Sequence, residues 1–145
     1  LLGDQLTSKQ EDKITRCLIK IMQRWWLDVE TARQNPAGGH HAVVDNGHFG
    51  VAALYLLGKH SEASHWVEAV VERFRCSIML PGSGCGVDGE PVDGPSFWTW
   101  ENLWMLQFAD ALRNVCGIDL YHEFPRRCTV PLSVETSRPS RLLPQ

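Results

Sequence analysis

Two helical hydrophobic patterns separated by only Gly58, Lys59 and His60 restrict this chain more than any other feature. Before the gap, residues 39–58 (GHHAVVDNGHFGVAALYLLG) put Val44, His48, Val51 and Tyr55 on one helical face. After it, Ser61 opens a helix expected to run to about Ile78. Ala63, Trp66, Val67, Val70, Val71 and Phe74 form its apolar stripe, with Glu62, Glu68, Glu72 and Arg73 left for solvent. So short a connection implies an antiparallel hairpin, with Trp66, Val70 and Phe74 buried against Val51 and Leu54 or their neighbours. Gly58 suits the position after a helix end, where a left-handed backbone is tolerated without a Cβ. Gly47 and Gly50 are less expected, because each costs about 1 kcal/mol against Ala inside a helix. Two of them one turn apart imply that another helix, or a ligand, comes close on that side.

Helical patterns also flank this pair. Residues from about Thr7 to Arg33 repeat Ile14, Leu18, Ile21, Met22, Trp25, Trp26 and Val29 at three- and four-residue steps, with Ser8 and Glu11 at capping-box spacing. Trp25 and Trp26 point about 100° apart, so one of them should stay partly exposed. QNPAGG closes this helix, since the residue before a proline avoids the helical region.

The stretch Gly86 to Gly117 holds a polar loop with Asp88, Glu90 and Asp93, then an aromatic helix start at Phe97, Trp98 and Trp100. Ser96 is the expected N-cap and Gly117 the expected stop. Trp100, Leu103, Trp104, Phe108, Ala111, Leu112 and Val115 give that helix a broad apolar face. IDLYHEF should pack on its end, and the prolines after Pro125 argue for an extended tail over 125–145. No stretch alternates as a strand would. The expected fold is all-α, built of antiparallel hairpins over residues 1–124.

Composition narrows the function classes. The formal charge is −3 with both signs interspersed, which gives no basic footprint for nucleic acid. No apolar run is long enough to span a bilayer. The first residues, LLGDQLTSKQED, lack the basic start and apolar stretch of a signal peptide. They start without Met at a helix approach, as a fragment would. Five cysteines form no CxxC pair, and Cys17, Cys76 and Cys116 fit helical patterns as small buried residues.

The remaining polar residues leave alternatives open. His41 and His48 are seven apart, about 10 Å along a helix, which is too far for one zinc ion. No metal or cofactor is therefore expected, and His60 and His65 read as surface residues. Asp88, Glu90 and Asp93 could flank a glycosidic bond as paired carboxylates, or merely satisfy backbone N–H groups in a solvated turn. Glu101 suits the positive end of a helix dipole. Aromatics fed by an acidic loop are what a sugar cleft needs, although tryptophans at helical spacing also fill cores.

Two segments, HHAVVDNGHFGVAALYLLGKHSEASHWVEAVVERF and DGEPVDGPSFWTWENLWMLQFADALRNVCGIDL, resemble the toroid domain of heparinase II/III-like and alginate-lyase-like polysaccharide lyases. The first is similar to the family's Asn-His-bearing helix with its Gly/Ala-rich run and following Trp-bearing helix. The second is similar to its "DG…EGPGYW.Y…" loop and the helix behind it. Together they cover roughly residues 38 to 120. The resemblance implies one piece of an incomplete (α/α) toroid, a ring of helical hairpins around a sugar cleft, in a periplasmic or secreted protein. It implies a polysaccharide substrate and further hairpins from a longer parent chain, while the charge pattern and the lack of a long apolar run argue against nucleic-acid and membrane partners. His41 matches the family histidine and His40 stands where asparagine is usual, so both are implied catalytic residues of a β-elimination. Phe97, Trp98, Trp100, Asp88 and Asp93 are implied to contact the sugar. Phe97 and Trp100 stand where tyrosines are common, and neither can transfer a proton. The alternatives are a toroid glycoside hydrolase, or a carbohydrate-binding or helical interaction module without chemistry.

Overall fold

Helix α1 (Ser8–Ala32) starts one residue earlier than its capping-box spacing suggests. In this computed structural model, which describes residues 5–32, 40–75 and 94–122, the cap is Thr7 and not Ser8. The Thr7 N–H and hydroxyl both donate to Gln10 Oε1, at 2.9 and 2.8 Å, and the Gln10 N–H returns to Thr7 Oγ1 at 3.4 Å. That reciprocal pairing satisfies the helix start and leaves Glu11 free to accept from Lys59 at 2.7 Å. Met22 and Trp25 are buried and Trp26 is partly exposed, as adjacent tryptophans must be unless helices flank both sides. Ile14 and Ile21 do not reach the core.

Helix α2 (His40–Leu56) contacts each of the other long helices. Its expected face, Val44, His48, Val51 and Tyr55, is only partly right. Val44 is buried, Tyr55 is half-buried, and His48 and Val51 are exposed. The face that packs on the last helix lies about 100° round, through Val43, Gly47, Gly50 and Leu54. Counting large apolar side chains missed it because glycines make up its centre.

Gly58, with φ at 75°, ends α2, and the N–H groups of Lys59 and His60 reach back to the Leu56 carbonyl. Helix α3 (Ala63–Arg73) starts two residues later than Ser61, because His60 Nδ1 accepts the Glu62 N–H at 3.2 Å and closes the turn first. Trp66, Val70 and Phe74 are fully buried, and Leu54 is buried in the same cluster. The expected continuation through Ile78 falls outside the described residues after Arg75.

Helix α4 (Pro95–Cys116) begins with Gly94 at φ 90° and Pro95 in the first helical position, so Ser96 lies inside the first turn and is not the cap. Proline suits that position because its missing N–H would have no partner there. Gly117, at φ 71°, stops the helix as expected, its N–H on the Arg113 carbonyl at 3.0 Å. The buried face runs through Glu101, Phe108, Ala109 and Leu112, whereas Trp100, Leu103 and Val115 of the expected stripe are exposed. A short 3-10 turn, η1 (Leu120–His122), folds onto the end of α4 and buries Leu120. The Tyr121 hydroxyl anchors it by donating to Asp110 Oδ1 at 2.9 Å. Cys17 and Cys116 are exposed thiols and not the small core residues their helical spacing suggested. No strand occurs among the described residues, and none of their helices is long and apolar enough to cross a membrane. The tail over 125–145 lies outside them.

Candidate functional site

Helices α2 and α4 approach each other closely at two glycines. A Cβ added to Gly47 would lie 2.8 Å from the Trp104 carbonyl oxygen and 2.9 Å from its carbon. One added to Gly50 would run into the Phe108 ring, with Cγ at 2.9 Å. The glycine pair thus answers the sequence argument: the neighbour it admits is a helix. These two contacts also fix direction. Moving from Gly47 to Gly50 along α2 moves from Trp104 to Phe108 along α4, so the helices run parallel. Their N-terminal ends therefore lie at the same end of the domain. His41 is six residues before Gly47 and Phe97 seven before Trp104, each about 10 Å back along its axis.

At that end His41 is exposed in the first turn of α2, and Phe97 and Trp100 are 45% and 40% exposed in the first turns of α4. His40 opens α2 and Trp98 lies in α4, but the positions of their side chains are not described. Asp88, Glu90 and Asp93 fall outside the described residues. The His48 ring meets Trp104 at a tilt of 54° with ring centroids 3.7 Å apart, just above this end. The buried Trp104 Nε1 has no acceptor among the described residues.

Sequence reasoning missed a polar group beneath the aromatics. Asn46 is 1% exposed and Glu101 5%, and Arg73 Nε donates to Asn46 Oδ1 at 3.1 Å. Burial draws the Arg73 pKa below the ordinary guanidinium value. Glu101 had a sufficient surface explanation in the helix dipole, which concealed its inward direction. Only the α2–α4 register could have revealed it, since Glu101 stands one turn before the buried Trp104 backbone.

The two tyrosines of the chain, Tyr55 and Tyr121, sit at the opposite end. Tyr55 is fourteen residues past His41 on α2, about 21 Å along the axis. Its hydroxyl is 3.5 Å from Thr15 Oγ1, and the Lys59 ammonium stands 3.8 Å over its ring. The Thr15 hydrogen bond, and then Lys59, hold its pKa below the usual phenol value, while the Glu11 contact raises that of Lys59. Tyr121 follows α4, and burial plus its bond to Asp110 push it up to about 12. Neither hydroxyl lies at the end that holds His41.

Among the described residues no three His, Cys, Asp or Glu side chains gather as a metal site requires. His60 stacks on Trp66 at 4.8 Å and His65 meets Trp26 edge-on at 4.7 Å, so both expected surface histidines also cover tryptophans. Compared with families of known proteins, with curated proteins and with solved structures, the chain matches none.

Proposed function

We infer that this chain is a polysaccharide-lyase-like helical domain, one piece of an (α/α) ring of hairpins, that takes uronate-containing polysaccharide at the α2–α4 end. The parallel packing of α2 on α4 through Gly47 and Gly50 carries the reading. In a ring of antiparallel hairpins every second helix runs the same way, and the starts of those inner helices line one mouth. Parallel α2 and α4, with Arg73 of α3 turned back to Asn46 of α2 across the 57–62 turn, are the contacts such hairpins make.

At the mouth, exposed Phe97 and Trp100 offer faces on which a pyranose ring can stack, and His41 stands at the same end. In the proposed reaction His41, with His40 beside it in sequence, removes the C5 proton of a uronate. The C5–H electrons form the C4–C5 double bond, the C4–O bond breaks, and the leaving oxygen takes a proton. Both tyrosines lie at the far end, so that proton comes from another group: the second histidine, an acid of the 88–93 loop, or a residue of an adjoining hairpin. The resemblance adds a periplasmic or secreted location.

Incubation with a panel of uronate polysaccharides tests this, because elimination creates a double bond conjugated with the carboxylate that absorbs in the ultraviolet and hydrolysis does not. The expected result is absorbance growth that His41→Ala abolishes with the helical circular dichroism unchanged. Cleavage without absorbance would instead indicate the hydrolase, with its acids in the 88–93 loop.

A second reading has its own observation. Phe97, Trp100 and Leu103 recur at three-residue steps over about 120° of the α4 surface and are all exposed. Such a stripe suits helix docking, which is all a non-catalytic interaction module needs. Absence of both cleavage and polysaccharide binding would leave that reading.

A further inference from the structure

A row of cations runs along the solvent face of α1. Lys9, Lys13, Arg16, Lys20 and Arg24 recur at steps of three and four and are all exposed. They lie on the side of α1 opposite Leu18, Met22 and Trp25, which pack into the core. From Lys9 to Arg24 the row is about 22 Å long. The acids within that span are Glu11 and Asp12. Glu11 is engaged by Lys59 from the α2–α3 turn, which leaves Asp12 beside the row. Five of the 14 lysines and arginines stand here, so the other nine face 15 of the 17 acids elsewhere in the chain. Over the middle of the row lies an open depression of about 610 Å³, lined by Lys13, Arg16, Cys17, Ile19, Lys20 and Gln23.

A solvated helix face would normally mix its signs, because like charges at three- and four-residue steps repel by a few tenths of a kcal/mol per pair. From Lys9 to Lys20 the row keeps that repulsion along three turns, in a chain whose net charge is −3. An anionic ligand would relieve it. We propose that the basic face of α1, centred on Lys13, Arg16 and Lys20, is a binding surface for the carboxylates of an acidic polysaccharide. It would hold the polymer away from the mouth where His41 acts. The proposal rests on the function proposed above and names the charge of its substrate. A narrow row one helix wide suits a single flexible polyanion with regularly spaced charges. Duplex nucleic acid calls for a wider basic surface than a chain of pI about 6.1 provides.

Polygalacturonate supplies the test, with dextran as the neutral polymer and duplex DNA as the competing polyanion. Cys17 lies in the depression, whereas Cys116 is at the far end of α4, and both thiols are exposed. Alkylation followed residue by residue by mass spectrometry should slow at Cys17 when polygalacturonate is added and stay unchanged at Cys116. Dextran should protect neither. The variant K13Q/R16Q/K20Q should bind polygalacturonate on the order of tenfold more weakly and with a shallower salt dependence. Arg75→Gln, an exposed cation on another segment, should bind as the wild type does.

Wild-type binding that the triple variant retains in full would overturn this surface and leave the proposed lyase function standing. Binding through α1 with no unsaturated product would instead overturn the lyase chemistry alone. Duplex DNA protecting Cys17 more strongly than polygalacturonate at equal charge would overturn the choice of partner, and no binding of either would overturn both proposals.

Discussion

Replacing Gly47 or Gly50 with alanine sets two effects of opposite sign against each other. Helix propensity alone favours either change by about 1 kcal/mol, since glycine is the poorer helix former. Packing opposes it. At Gly47 the new methyl would stand 2.8 Å from the Trp104 carbonyl oxygen, and a helix backbone cannot move aside without shifting all of α4. At Gly50 it would overlap the Phe108 ring, which is fully buried and stacked on Phe74 with centroids 5.2 Å apart. Inserting a methyl into such a contact costs about 1–3 kcal/mol, and the rigid neighbours here put both sites at the upper end. The expected net destabilisation is therefore about 1–2 kcal/mol for each variant. Urea unfolding followed by far-ultraviolet circular dichroism would read it as a lower midpoint at unchanged slope. Gly50→Ala should be partly relieved by Phe108→Leu, so that the double variant falls short of the sum of the single ones. Gly47→Ala should gain nothing from that partner. Either alanine variant matching or exceeding the wild type would refute the close parallel contact, and with it the shared end of His41 and Phe97.

Asn46→Leu keeps the branched shape but deprives the half-buried Arg73 of its acceptor, and should cost about 1–3 kcal/mol by the same urea measurement. The two tyrosines should titrate apart in an ultraviolet difference titration, Tyr55 below the usual value and Tyr121 at about 12. Thr15→Val should move the Tyr55 step up, and Asp110→Asn should move the Tyr121 step down. The raised Tyr121 contributes stability that is present below pH about 10 and lost as the pH climbs through about 12. The depressed Tyr55 acts in the opposite sense, its contribution being lost as the pH falls through its folded value.

What the sequence revealed and what it hid have the same physical origin. Helix existence was legible because Met22, Trp25, Trp66, Val70, Phe74, Phe108 and Leu112 are large, apolar and spaced by three and four, and burying them is the main favourable term in folding. Helix stops at Gly58 and Gly117 were legible because a left-handed backbone selects glycine. Helix starts were not. Thr7, Ser8, Gly94 and Ser96 can all serve as caps, and the choice depends on which neighbour answers: Gln10 in the first case, Pro95 in the second. The faces of α2 and α4 were misjudged by about one residue for a related reason. A pattern weighted by large side chains aims each helix at its bulk, but α2 meets α4 through glycine, where the gain is proximity.

That contact decides everything about the candidate site. It turns Glu101 inward and Trp100 and Leu103 outward, and it makes α2 and α4 parallel, bringing His41 to the end that holds the aromatic start of α4. Periodicity reports which side of one helix is apolar. It carries no information about which end of that helix lies beside which end of another, and a two-helix mouth is a property of ends. Two glycines one turn apart are the single local sign of such a contact, and the direction it imposes depends on where Trp104 and Phe108 lie.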